Sequence, residues 1–122
     1  MSLVRRFHQE GFWTLYDGDQ AVVTMKEETG EQAITLKITG ALRSDTELGF
    51  RDELMALVSV GSHVILDCAE ITYMSNSCQF ALLDVQQQMD QTGKGSLKLI
   101  HVPQNLYADF EKTNLSGLLD IE

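Results

Sequence analysis

The sequence predicts an α/β domain built on a mixed β-sheet, and three observations lead there. Apolar and polar residues alternate on both sides of a Thr29-Gly30 turn. The period then switches to that of a helix, and from there short apolar runs alternate with amphipathic segments to the end of the chain. At 122 residues the chain is long enough for one core and too short for two, so a single domain over 1–122 is expected.

The elements follow in order. "FWTLYDGDQAVV" reads as a hairpin with Asp17-Gly18 in its turn and an extra N-terminal strand carrying Phe12, Trp13 and Tyr16. Three aromatics in five residues cannot share one side of a strand. Some must pack on a helix, meet a neighbouring subunit or stay exposed, although aromatics filling a core edge would serve as well. Residues 1–21 are therefore set apart as an atypical extension and as a candidate homodimer contact.

"AVVTMKEETGEQAITLKITGAL" reads as a second hairpin, with Ile34, Leu36 and Ile38 on its buried face. In "SDTELGFRDELMALV", Ser44 and Glu47 have capping-box spacing, and Phe50, Leu54 and Leu57 mark one helical face. "HVILDC" is nearly all apolar, as expected of a strand central in a sheet or covered on both faces.

The segment from Asn76 onward spaces Cys78, Leu82, Val85 and Met89 for an amphipathic helix that Gly93 stops, with Gln86 to Gln88 mostly facing water. "TGKGS" then turns helix into strand and is no Walker loop. "SLKLIHV" is the next strand. Pro103 suits the first turn of a helix whose inner face carries Leu106 and Phe110, and "GLLDIE" can add a last short strand.

Charge and composition exclude several function classes. Nine basic against eighteen acidic residues give a net charge of −9, which repels a phosphate backbone, so nucleic acid is not an expected partner. Apolar runs of a few residues fall far short of the roughly 20 that cross a bilayer, so a soluble, cytoplasmic protein without membrane insertion is expected. Cys68 and Cys78 fit neither a CxxC pair nor a zinc site, and His8, His63 and His101 lack ligand spacing. No metal and no cofactor are expected.

Three stretches together resemble the STAS domain family, which includes bacterial anti-sigma-factor antagonists and the cytoplasmic tails of sulfate transporters. "ITLKITGAL" is similar to the family's second strand with its Gly-x-Leu ending. "VILDCAEITYMSNSCQFALL" is similar to the pattern of apolar strand, Asp, loop, apolar pair, Asp-Ser-Ser-Gly and Leu-rich helix. "LKLIHVPQNLYADFEKTNLSGLLDIE" resembles the last strand, the Pro-led helix and the Thr-Gly-Leu segment. The resemblance runs from about Met25 to Ile121. It implies a mixed sheet with helices mainly on one face and a regulatory, non-enzymatic role in bacterial transcription through partner switching. In that scheme the unphosphorylated antagonist binds an anti-sigma factor that is also a kinase, and phosphorylation of the first Ser of Asp-Ser-Ser-Gly ends the complex. A phosphate there adds about −2 of charge to a docking surface at a helix N-terminus that tolerates it locally.

Residue by residue, the pattern here departs. Ser75 stands at the Asp, Asn76 at the phosphorylated Ser, Ser77 at the second Ser and Cys78 at the Gly. Asn caps about as well as Ser but has no hydroxyl, so no phosphorylation is expected at Asn76, and Ser75 and Ser77 read as cap and loop residues. Arg43 stands where many members carry Asp, and Asn114 replaces a Gly in a position where Asn tolerates a left-handed cap. Many relatives carry one more helix beyond the point where this sequence ends.

The leading expectation is therefore a protein-binding module that docks a partner through Arg43, Ser75, Asn76, Ser77 and Cys78, constitutively because Asn76 is neutral. An accessory STAS subunit of a membrane transport assembly is the alternative. An enzyme of a different class would use Cys78 as nucleophile, activated by the helix dipole and by His63 or His101 brought close in the fold.

Overall fold

The computed structural model describes residues 4–9, 11–17, 20–29, 33–59 and 63–122. Its six strands are β1 (Val4–Gln9), β2 (Phe12–Asp17), β3 (Gln20–Thr29), β4 (Ile34–Leu42), β5 (His63–Met74) and β6 (Ser96–Ile100). They form one sheet in the order β1-β2-β3-β4-β5-β6. The first four run antiparallel, and β4–β5 and β5–β6 are parallel. Parallel neighbours need a crossover. A 3-10 turn (Ser44–Thr46) with helix α1 (Glu47–Ser59) provides the first, α2 (Asn76–Thr92) the second, and α3 (Gln104–Lys112) follows β6.

Alternation along the strands decides where the core lies. Leu36 and Ile38 of β4, Val64, Leu66 and Cys68 of β5, and Leu97 and Leu99 of β6 are buried, while their neighbours on the other face are partly or fully exposed. All three helices therefore cover one face of the sheet, and the other is open. Phe50 and Leu54 of α1, Cys78, Leu82, Val85 and Met89 of α2, and Leu106 and Phe110 of α3 complete the core, with Leu57 half-buried against it. At about 25 cal/mol per Å² of apolar surface, such fully buried Leu and Phe side chains contribute roughly 1.5–3 kcal/mol each.

The antiparallel hairpin β3–β4 is present as the alternation indicates, with its Thr29-Gly30 turn outside the described residues from Gly30 on. Gly93 ends α2 in the left-handed conformation (φ 67°), its amide donating to Met89 O at 3.0 Å. Asn114, in the Gly position of the family pattern, does adopt a positive φ of 62°.

Three expectations change, and a fourth is met in one of its two forms. The extension holds two strands rather than one: β1 is the edge strand, and Gly11 links it to β2. A Cβ on Gly11 would lie 3.1 Å from the Glu27 carbonyl, and its φ is 76°. Within the segment, Trp13 is buried and Phe12 and Tyr16 are half-buried on the opposite face, which resolves the crowding of three aromatics.

The Ser44–Glu47 capping box does not form. Ser44 lies inside the 3-10 turn, and Glu47 is committed to Arg51 one turn later. No side chain caps the 3-10 turn; Thr46 Oγ1 instead donates back to Arg43 O at 2.7 Å.

"HVILDC" opens a longer strand that reaches Met74 with irregularities in its pairing; it is fully covered on one face only, and it holds the interior position between β4 and β6 that its apolar run indicates. "GLLDIE" contributes a single parallel bridge, Leu99 to Ile121, on the other edge of β6 from Leu66, rather than a full strand.

Candidate functional site

The end of the sheet where β4 and β5 finish feeds two helix starts side by side. Ser75 N donates to Leu42 O at 2.7 Å, which extends the β4–β5 pairing to the last residue before α2. Ser75 is extended (φ −65°, ψ 160°) and is the N-cap, its Oγ accepting from Cys78 N at 3.3 Å. Ser75 O also accepts the first helical bond, from Gln79 N at 3.0 Å. This is why a short polar residue is needed between an apolar strand and an apolar helix: it satisfies donors the helix cannot.

The Arg43 carbonyl ties the two helix starts together. It accepts from Thr46 N at 3.0 Å, from Thr46 Oγ1 at 2.7 Å and from Cys78 Sγ at 3.4 Å. The Arg43 side chain itself is exposed. Farther along, Arg51 binds Glu47 on its own helix and Asp84 on α2, the two carboxylates holding its guanidinium protonated more firmly still.

The five expected site residues divide into two layers. Arg43, Asn76 and Ser77 are exposed, whereas Ser75 and Cys78 are buried beneath them, at 3% and 0% exposure. Ser77 Oγ lies 3.0 Å from Ser75 Oγ, so one hydroxyl donates to the other.

Three residues at this end escaped the sequence reading. Phe80, four residues after Asn76 and on the same helical face, is 46% exposed, and Tyr73 just before the cap is 52% exposed. Gln79 is the third. It is 1% exposed, its Nε2 donates to Met74 O at 3.1 Å, and its Oε1 accepts from Thr113 Oγ1 at 3.1 Å. It fastens the first turn of α2 to the end of α3. The available signal was its position: a polar residue next to Cys78 on the inner arc of an otherwise apolar helix face.

The thiol chemistry is unfavourable. Burial pushes the Cys78 thiol up; hydrogen bonds to Ser75 and Thr46 pull it down, and the Glu47 and Asp45 carboxylates raise it again. Burial, with the neighbouring Asp67, pushes Cys68 up to about 12. The histidines are elsewhere: His63 Nδ1 is 2.9 Å from Ser96 Oγ, and His101 Nδ1 is 3.1 Å from Asp67 Oδ1. Cys78 faces a carbonyl, with neither of the two imidazoles as its partner, so the helix dipole alone does not make it a thiolate. Among the described residues no group of three His, Cys, Asp or Glu side chains is placed to hold a metal ion, and no helix is long and apolar enough to cross a membrane.

Comparison with known proteins gives a consistent result. No curated protein matches the chain. Among solved structures, a putative anti-sigma factor antagonist from Thermotoga maritima superposes with a TM-score of 0.71 at 11% identity, covering 80% of this chain and 84% of its own. The anti-sigma factor antagonist SpoIIAA in its unphosphorylated form gives 0.65 at 12% identity, with 80% and 87% covered. The anti-sigma factor antagonist from Mycobacterium paratuberculosis gives 0.65 at 10% identity, with 81% and 84% covered. Identities this low show the shared fold. A sequence model described as "Mlab, STAS domain" matches residues 25–120, which leaves β1, β2 and the first half of β3 outside it and takes in β4 to β6 and all three helices. The chain belongs to the STAS domain family.

Proposed function

We propose that this protein is a non-enzymatic regulatory module that binds an anti-sigma factor, or a protein like one, at the N-terminal end of α2. The observation that carries the reading is the intact cap under a helix start whose residue 76 is uncharged. Ser75 holds the first turn as a helix start requires, while exposed Asn76 presents a neutral amide at the family's phosphorylation position. Arg43, Asn76 and Ser77 meet the partner; Ser75 and Cys78 hold that surface from below. Phe80 and Tyr73 supply apolar area beside the polar groups, the mixture common in the centre of protein interfaces.

Because Asn76 has no hydroxyl, the module binds constitutively and is not released by phosphorylation there. The test is affinity capture of the partner from the native organism, followed by incubation with it and ATP and mass spectrometry of the product. An anti-sigma-factor kinase that leaves Asn76, Ser75 and Ser77 unmodified supports the reading. Stoichiometric phosphate on Ser75 or Ser77 that abolishes binding overturns it, and recovery of membrane transport subunits transfers the module to a transport assembly. A homodimer through the N-terminal aromatic segment would use Phe7, 60% exposed on edge strand β1. Sedimentation of wild type and Phe7→Glu tests it, and a monomer in both discards it.

A further inference from the structure

Between the first strands and α1 the packing does not close. On the sheet Arg5 of β1, Trp13 of β2, Glu27 of β3 and Leu36 of β4, and on α1 Glu53, Ala56 and Leu57, surround a cavity of about 60 Å³. Small residues leave the gap. Glu27 N donates to Gly11 O at 2.6 Å, so the residue beside Glu27 has no side chain to fill it, and Ala56 supplies only a methyl. A single water needs about 10–15 Å³ of such space, so the cavity suits a group of about four heavy atoms.

The polar groups around it are unevenly satisfied. Trp13 is 4% exposed, and its Nε1–H is the one buried side-chain group that finds no hydrogen-bond partner among the described residues. Buried donors are nearly always paired, because one left without an acceptor has given up water for nothing. Glu27 is half-buried and makes no ion pair among the described residues. The other two charges are already matched: Arg5 Nη2 lies 3.0 Å from Glu53 Oε2, and the guanidinium carbon sits 4.5 Å over the Trp13 ring. Burial pushes the Glu53 carboxyl up while Arg5 pulls it down, as expected of a pair partly withdrawn from water. One donor and one acceptor are thus left open.

We propose that this cavity is a binding site for a primary carboxamide on a short apolar stem. An amide both accepts and donates. Its carbonyl oxygen accepts from Trp13 Nε1, its NH2 donates to the Glu27 carboxylate, and its stem lies against Leu36 and Leu57. A carboxylate only accepts and would meet Glu27 and Glu53; an ammonium only donates, leaves Trp13 Nε1 unpaired and would meet Arg5. A neutral ligand also leaves the Arg5–Glu53 pair intact. Arg5 and Trp13 lie outside the residues that match the family, so the site is an addition of this chain to the shared fold. It is separate from the α2 end and stands or falls independently of the function proposed above.

Proton NMR tests it directly, because Trp13 is the only tryptophan and its indole N–H gives a single resonance. Propionamide should move that resonance downfield and saturate it at millimolar concentrations, as ligands of a few atoms bind weakly. Propionate and propylammonium, of similar size, should move it little. Glu27→Leu removes the acceptor and should weaken propionamide about tenfold. Ala56→Leu fills the space and should abolish the shift, and both variants should keep the unfolding midpoint of wild type. A capped glycine–glutamine–glycine peptide that binds more tightly than propionamide assigns the site to a side chain of a protein partner, and one that binds more weakly assigns it to a free amide. The proposal is overturned by an indole resonance that propionamide leaves in place, by equal or larger shifts with propionate or propylammonium, or by unchanged propionamide affinity in Glu27→Leu.

Discussion

Replacing Gln79 by alanine removes a polar side chain that joins the strand end, α2 and α3. Two hydrogen bonds are lost, each worth about 1 kcal/mol net. Thr113 Oγ1 keeps acceptors, because the Asp109 and Phe110 carbonyls lie 3.2 Å from it. Met74 O loses a donor in a buried setting, which costs about 1–3 kcal/mol, and a small void adds to this. Taking about 1 kcal/mol for the Thr113 bond and about 1–3 kcal/mol for Met74 O in place of its own net bond value, the loss is about 2–4 kcal/mol. Urea unfolding of a domain this size reads such a loss as a midpoint lowered by roughly 1–2 M, since slopes run about 1–3 kcal/mol/M. The decisive version is a double-mutant cycle with Thr113→Val, where contact between the two side chains predicts a coupling of about 0.5–1.5 kcal/mol. A Gln79→Ala loss under about 0.5 kcal/mol, or strict additivity with Thr113→Val, refutes Gln79 as the fastening between α2 and α3.

Other perturbations have equally definite outcomes. Ser75→Ala should destabilise by about 1 kcal/mol, and hydrogen exchange should show faster exchange at Cys78 N, the donor left without its cap. Stability should hold through neutral pH and fall as pH rises past the ordinary thiol value of 9.0 toward the value of about 12 reached by Cys68. The sign follows from linkage: over that window the unfolded chain has released the thiol proton and the native one keeps it, costing about 1.4 kcal/mol per pH unit. Cys68→Val should flatten this limb in urea titrations across pH 8 to 11. Arg51→Gln, which breaks the link between α1 and Asp84 of α2, should lower stability by about 0.5–1 kcal/mol, with the loss shrinking in high salt.

How much of this was legible in the sequence depends on the range of the interaction. Local periodicity carries the fold well: the i, i+4, i+7 spacing from Cys78 through Met89 places a buried face correctly because a helix has one geometry. Gly93 and Asn114 likewise announce left-handed backbone, since few other residues adopt it at low cost. The capping box at Ser44 misled because Glu47 pairs with Arg51 one turn later, an i,i+4 pair, and the same guanidinium also holds Asp84 of α2. An ion pair involving a residue 33 positions away leaves no local trace.

At the site, the cap role of Ser75 follows from its type and position alone. That Ser75 and Cys78 lie under the surface while Phe80 and Tyr73 lie on it depends on how α2 is rotated against the sheet. The apolar face from Cys78 to Met89 sets that rotation, and Gln79, Thr113 and the Arg43 carbonyl, on different elements, hold the first turn in place. The edge strand β1 was missed for a related reason: Val4–Gln9 carries two arginines and a histidine, and a strand exposed on both faces has no apolar alternation to read.

The central claim is that a partner docks at the α2 end and that Asn76 keeps the site in its binding state. Its most direct test is the affinity of the captured partner for wild type, Asn76→Ser and Asn76→Asp, measured side by side by calorimetry. An acidic residue in the first turn favours the helix, so Asn76→Asp should fold at least as stably as wild type and any loss of binding belongs to the surface. The account predicts that Asn76→Ser binds as wild type does and that Asn76→Asp binds about tenfold more weakly or worse, the effect of one like charge in a docking surface. Equal affinity for all three proteins would contradict it and place the docking surface elsewhere.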